Sequence, residues 1–391
     1  MTMEAVAEIN LSENAYKVPP GAFKAICITF ALVGVFNRAD WTERGEEWVV
    51  HVAKALEEVG DDWVLRWFPE LLREVKAVLL GLTDGESERA GAEVADLEVS
   101  GTALALTVAR SAREAGRFDR AEAWYARARE LARRVGEEQA LVRAKLGMGW
   151  VHLQREQYTR ARDCFRDAED HARERGLSEL EGMACHDLSA LAVVQNRHDD
   201  VLEYARRARR AYGDANPRLI RLSQNIAYHW SDRGQFHEAL PVFGALLKLP
   251  AAQSDPESWT LLLCATVRAA AGCDDQGIFR GLWGEAWAAV TRASFRGRAA
   301  PALLDLAEAA LLVGDSARAG AAGRAALHLA RELSQDGYAT QSEELLARAQ
   351  LPGAVEHGRG SGDSVTHSLD QAVCEELVQA LRSLQNSEGE G

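Results

Sequence analysis

The chain is short of several things, and each shortage removes a class of structure. Proline is scarce, 9 in 391 residues, and aromatic residues make up only 7%. With few prolines to interrupt it, the backbone is free to run in long helices. Runs of β-branched residues are rare, which excludes an extensive sheet. The 6 cysteines, at positions 27, 164, 185, 264, 273 and 374, include no C-x-x-C. That excludes a disulfide framework and the usual zinc-finger spacings, and leaves reduced, mostly buried thiols in a cytoplasmic protein. The phosphate-cradling G-x-x-x-x-G-K-[ST], the zinc-binding H-E-x-x-H and the nucleophile-bearing G-x-S-x-G are all missing. No catalytic residue, metal or cofactor is therefore assigned. One apolar run, AICITFALVGVF at 25–36, is too short to cross a bilayer. Glu4, Glu8 and Glu13 stand before it, where a signal peptide would carry a basic start. A buried helix is the expectation there, with no membrane partner.

What is abundant is Ala, Leu, Arg and Glu, all good helix formers. The net charge of −14 is uneven. Residues 1–100 hold 19 acids and 9 bases, residues 101–350 hold 33 and 34, and residues 351–391 hold 7 and 2. Acidic ends argue against a nucleic-acid partner, because the phosphate backbone demands the opposite sign. An acidic N-terminal region instead suits a basic protein partner.

A repeat organises the middle of the chain. Anchored on Phe118, equivalent positions fall at Tyr158, His198, Phe236, Asp274 and Ser316, spaced by 40, 40, 38, 38 and 42 residues. Nine residues before each anchor stand Ala109, Gly149, Ser189, Ala227, Ala265 and Ala307, all small. Three after stand Ala121, Ala161, Val201, Ala239, Gly277 and Ala319. Two before stand Gly116, Glu156, Asn196, Gly234, Gly272 and Gly314, mostly turn formers. Antiparallel helices approach closely only where the facing residues are small, and Gly or Asn beside the anchor ends the first helix.

These columns resemble the tetratricopeptide repeat (TPR), with its small residue at position 8, Gly or Asn near 15, aromatic at 17, and Ala at 20 and 27. The resemblance covers about 99–350, and its roughly 40-residue period is longer than the usual 34. Long repeats of this kind, behind a small helical bundle, are similar to the Rap-type bacterial regulators. The resemblance implies an all-α fold, a TPR-like α-solenoid of about six helix-turn-helix repeats with an N-terminal helical bundle. The expected domains are an N-terminal helical domain at 1–85, the solenoid at 86–350, and a Gly/Ser-rich linker with a C-terminal amphipathic helix at 351–391. That last helix carries Leu369, Val373, Leu377, Val378 and Leu381 on one stripe and is expected either to cap the open end of the array or to dock on something else.

The resemblance also implies a binding face. First helices of TPRs line a concave groove through positions 2, 5, 6, 9, 12 and 13. In this chain those positions offer Arg110 and Arg113, then Arg143, Trp150 and Gln154, then His186, then Arg221, Gln224, Asn225 and Tyr228. Repeats five and six offer Trp259, Leu262, Leu304 and Leu311. Guanidinium groups grip carboxylates in pairs, amides bond an extended backbone, and aromatics anchor. Other polar groups have plainer readings. The acid pairs at 61–62, 199–200 and 274–275 sit at helix starts, where the dipole favours them. His198 lacks a ligand set for a metal. Cys185 and His186 are adjacent, so they point to different helix faces.

The expected function is that of a non-catalytic protein- or peptide-binding adaptor or regulator working through the concave groove. A second protein partner would meet the acidic N-terminal domain. One alternative is a peptide-responsive, Rap-like regulator that sequesters a partner through its bundle. Rap-type phosphatases use a bundle Gln, and residues 1–100 contain none. Another is an adaptor in a bacterial defence or signalling assembly. An enzyme would need an unrecognised site in the N-terminal domain.

Overall fold

The computed structural model describes residues 102–350, apart from 104, 111, 115 and 293–295, and residues 367–389. The expected bundle at 1–85 and the linker at 351–366 lie outside the described residues.

Every described element is a helix or a turn. After a helical stretch at 102–114 come α1 (Phe118–Val135), α2 (Glu138–Gln154), α3 (Tyr158–Glu174), α4 (Ser178–Val194) and α5 (His198–Tyr212). Then follow α6 (Arg218–Asp232), α7 (Phe236–Leu246), a single turn α8 (Pro250–Gln253) and α9 (Pro256–Gly272). The array ends with α10 (Gln276–Arg292), α11 (Arg296–Leu312), α12 (Ser316–Glu332) and α13 (Asp336–Ala349), and α14 (His367–Gly389) stands apart in sequence. Two compact units divide inside α4, between Asp187 and Leu188.

Longer helices than in an ordinary TPR account for the long period. From α1 onward, leaving out α8 and α14, helices begin every twenty residues: at 118, 138, 158, 178, 198 and 218, and again at 236, 256, 276, 296, 316 and 336. The one break is the step from Arg218 to Phe236. Inside each pair the turn is built identically. A residue in the left-handed region sits two before the second helix: Gly116, Glu156, Asn196, Gly234, Asp274 and Gly314. The following N–H reaches back to the carbonyl five residues earlier, as in Arg117 N–H to Ala112 O and Gln157 N–H to His152 O, both 2.8 Å. This closes the orphan carbonyls at the end of the first helix.

That turn corrects the register of the fifth repeat. Its second helix starts at Gln276, two residues after the expected anchor Asp274. The true spacings are 40, 40, 38, 40 and 40. Gly272, read as the turn former, is the last residue of α9, and a Cβ there would meet the Phe236 ring at 2.0 Å. The left-handed position went instead to Asp274, with φ of 56°. Asp and Asn tolerate that region better than other side chains, so the turn lacked its glycine signal.

The small-residue columns do the packing they suggest. Ala109, Ala121, Ala128, Ala161, Ala168, Ala227 and Ala239 are fully buried. A Cβ on Gly147 would meet the Tyr125 ring at 2.1 Å, and one on Gly149 would meet Phe165 at 2.4 Å. Aromatic rings of the second helices thus rest directly on the backbone of α2.

The C-terminal helix does not cap the end of the array. α14 packs on α5, α6 and α7, in the third and fourth repeats. Val373, Cys374, Leu377, Ala380, Leu381 and Leu384 are buried there. The apolar stripe is the expected one. Asp370 lies inside the stripe and has its partners on those helices.

Candidate functional site

The first-helix residues fall in both compact units, and each set stands within its own unit. In the first unit, Arg113 and Trp150 come together, the guanidinium 5.8 Å from the ring centroid. Such a placement over an indole face is attractive. Trp150 meets Phe165 edge-on at 6.2 Å, which holds its ring in place. Behind them, burial pushes the Tyr125 hydroxyl's pKa up while the charge and hydrogen bond of Arg113 pull it down. Arg110, Arg143 and Gln154 are exposed, and His186 is half-buried. Burial raises the carboxyl of Glu137, and the charge of Arg143 opposes that rise. The pairs at Asp119–Arg155 and Glu122–Arg155 tie α1 to the end of α2.

Nearby is a relay that the sequence did not announce. Lys145 Nζ lies 2.9 Å from His171 Nδ1, and His171 Nε2 lies 2.6 Å from Glu138. Lys145 also reaches Asp167 at 3.1 Å. This stitches α2 to α3. Cys185 is buried in α4. Burial, then the Glu181 charge, pushes its thiol up to about 12, and its Sγ faces Glu169 at 3.4 Å.

In the second unit, Arg221 and Asn225 are exposed and Gln224 is half-buried. Tyr228 differs from the expected open anchor. Its ring packs edge-on against Phe243 at 5.4 Å, and its hydroxyl is buried. The corrected register places Arg268, not Trp259 or Leu262, at the central first-helix position of repeat five. Arg268 Nη1 lies 2.8 Å from Asp232 and 3.2 Å from Asp305, and its Nε lies 2.7 Å from Glu308. Repeats five and six, expected to offer mainly apolar positions, thus bring Arg268, Asp305 and Glu308 together with Asp232 of repeat four. The two-residue error of register took Arg268 off the groove positions, whereas the three acids lie in repeats that were correctly placed.

Two exposed valines, Val193 and Val194, end α4 on the corresponding positions of repeat three. Among the described residues no cluster of three or more His, Cys, Asp or Glu side chains is placed to hold a metal. None of the described helices is long and apolar enough to cross a membrane. The pairs at 199–200 and 274–275 do lie at helix starts: Asp199 and Asp200 in the first turn of α5, and Asp275 accepting from Ile278 N–H at 2.9 Å. The pair at 61–62 lies outside the described residues.

His198 has an unforeseen role. Its Nε2 lies 3.0 Å from Asp370 of α14 and its Nδ1 lies 2.9 Å from His229 Nε2. Trp230 Nε1 donates to Asp370 at 2.6 Å and Gln235 Nε2 donates at 3.1 Å. The Asp370 side chain is fully buried. Burial alone would raise its carboxyl, but the hydrogen bonds from His198 and Trp230 outweigh that and hold it below the usual carboxylate range. Burial, then His198, pushes His229 down to about 4. Further along, Arg206 forks onto Glu376 at 2.8 and 3.2 Å. No pattern in the sequence pairs position 198 with position 370. Only the His beside an acid pair, and an acid inside an apolar stripe, hinted at it.

Comparison with known proteins places this architecture. Residues 101–174 match the profile described as Tetratricopeptide repeat. No curated protein matches the chain. Among solved structures it is similar to BtubC (BKLC) from P. vanneervenii, with 14% identity, 58% of this chain and 91% of that one covered, and a TM-score of 0.45. It is similar to a Rap protein complexed with Competence and Sporulation Factor, at 11% identity, 81% and 99% coverage and a TM-score of 0.45. It is also similar to the apo form of the quorum sensor NprR from B. thuringiensis, at 10% identity, 79% and 99% coverage and a TM-score of 0.27. Residues 101–174 therefore read as tetratricopeptide repeats in both sequence and helix pairing, and the described chain through Ala349 is an all-α, TPR-like array built on that plan.

Proposed function

We propose that the chain is a non-catalytic adaptor or regulator that binds a protein or peptide segment along the first-helix faces of its repeats. The observation that carries this reading is the arrangement of Arg113 over Trp150, buttressed by Phe165, beside the exposed Arg110, Arg143 and Gln154. Aromatic and arginine side chains held on rigid helices are the usual anchors of a protein interface. Arg221, Gln224 and Asn225 extend the same chemistry in the second unit, and Val193 and Val194 supply apolar contact. The acidic region at 1–85 would take a second, basic protein partner. The protein would act in the cytoplasm and without cofactor, metal or nucleic acid.

The test is a paired capture from native lysate, with wild-type chain and an Arg143→Glu/Arg221→Glu variant as baits. Both arginines are exposed, so the variant should fold. The expected result is a partner held by wild type and lost at least tenfold by the variant, the weight of charge-assisted bonds being about 1.5–3 kcal/mol each. Equal capture by both baits would move the site off these faces.

A further inference from the structure

The first helices of repeats four, five and six bring three carboxylates to one guanidinium. Asp232 closes α6, Arg268 stands in α9, and Asp305 and Glu308 stand one turn apart in α11. The Glu308 contact pairs its Oε2 with Arg268 Nε at 2.7 Å without hydrogen-bond alignment and leaves its second oxygen as a further acceptor. The neighbouring Arg298 pairs with Glu257 at 3.1 Å and adds no net charge. One cation thus faces three carboxyl groups. The arginine lies deepest, its side chain 12% exposed, and the acids open outward, Asp305 at 22%, Glu308 at 33% and Asp232 at 70%.

A second observation is independent of the acid count. The Tyr228 hydroxyl is buried and has no hydrogen-bond partner among the described residues. Asp305 and Asp232 are among the charges that act on it, so it stands at this cluster. An orphaned buried hydroxyl is unfavourable by about 1–3 kcal/mol, and native structures keep few of them without a purpose. Burial pushes the Asp305 carboxyl up to about 7, against the pull of Arg268 and with the further push of Asp232 and Glu308. The cluster is short of positive charge in a half-buried place, where a charge matters more than in bulk water.

We propose that the Asp232–Asp305–Glu308 cluster is a seat for a cationic group, a guanidinium or ammonium, carried by the peptide segment that binds the first-helix face. This rests on the peptide-binding reading above and sharpens it. Within the second unit, Arg221 of repeat four would meet an acidic part of the ligand and the cluster a basic one, so the segment bound there is polarised in charge. A cation at the cluster uses the spare acceptor capacity of Glu308 and Asp232 and supplies the polar partner that the Tyr228 hydroxyl lacks.

The probe is a library of N-acetylated, C-amidated decapeptides, random except for one central residue fixed as Arg, Lys, citrulline or Glu. Pools retained by the immobilised full chain are counted by mass spectrometry. The expected result is retention of the Arg and Lys pools about tenfold above citrulline. That preference should shrink toward none in Asp232→Asn, whose exposed side chain is safe to alter, and in Asp305→Asn/Glu308→Gln, with circular dichroism melting as the check on folding. A citrulline pool with a free amino terminus separates the two sources. If it matches the Arg pool, a terminal ammonium fills the seat; if it does not, a side chain does. Peptides retained with no basic preference, or with the same preference in both folded variants, would overturn the acidic seat and leave the peptide-binding reading standing. Wild-type chain that retains no pool at all would overturn both.

Discussion

Single residues carry the close packing between helices. Gly149 is the sharpest case, because its missing side chain is the space that the Phe165 ring fills. Alanine in a helix is ordinarily better than glycine by about 1 kcal/mol. Here a Cβ 2.4 Å from a ring carbon forces a fully buried side chain to move. Overpacking of this kind is unfavourable by about 1–3 kcal/mol. Gly149→Ala should therefore lower the melting temperature, while the exposed Gly284, with open space around its Cβ position, should gain from the same change. Equal shifts in both variants would show that ring contact is not what selects the glycine. Protonation of one residue should also be visible. His229 has an ordinary value near 6.5 and is pushed to about 4 in the folded chain. The native state thus prefers the neutral ring. Its stabilisation is complete above about 6.5 and is lost as pH falls toward 4. The groups facing it are His198, Arg233, Asp232 and Asp370. Asp370 is held low, so it adds its own loss only at more acid pH. Unfolding midpoints in urea should fall between pH 6.5 and 4 in wild type and fall less in His229→Gln. Parallel pH profiles would remove His229 as the cause.

At the scale of an element, α14 is the piece whose behaviour is most exposed to test. It is joined to the array through Asp370, Arg206–Glu376, the Cys374 thiol on the Glu238 carbonyl and an apolar stripe. Removing Asp370 leaves His198, Trp230 and Gln235 without their shared acceptor, and stranded buried donors are unfavourable by about 1–3 kcal/mol each. Asp370→Ala should raise hydrogen exchange across 367–389 and in α5 to α7 at least tenfold, with residues 118–174 unchanged. Unchanged exchange in α14 would mean that the apolar stripe alone holds it. The stripe was legible from the sequence, since Val373, Leu377 and Leu381 recur at helical spacing. The docking place was not. An acid within an apolar stripe looks like an edge of the polar face, and its partner lies 172 residues away. Periodicity reports which face is buried and carries no information about which surface buries it.

Across the whole molecule, the repeat was the most readable feature, because small residues and turn glycines recur wherever helices cross closely. Four of its six anchors fell on true aromatic or histidine helix starts, Phe118, Tyr158, His198 and Phe236, and Ser316 fell on a true start as well. Repeat five was misplaced for a local reason. Its turn uses Asp274 where four of the other five repeats use Gly or Asn, and Phe279 occupies the position that is Ala or Val elsewhere. The misplacement concealed Arg268, while Asp305 and Glu308 stood in the correctly placed sixth repeat and were passed over for Leu304 and Leu311. The Arg113–Trp150 pair was legible because both residues lie on well-marked repeats.

The twenty-residue beat has a bearing on kinship. Its single short step runs from α6 to α7, and α14 lodges on those two helices and α5. A lineage can lengthen or trim such an array by whole helix pairs without disturbing that joint. Relatives of different length should thus keep the step of eighteen intact. The length from the histidine of α5 to the end of α13 should differ among them in jumps of about forty, while the linker to α14 drifts freely. A descendant that lost the short step is expected to have lost the aspartate as well, since α14 lodges on the two helices that the step joins.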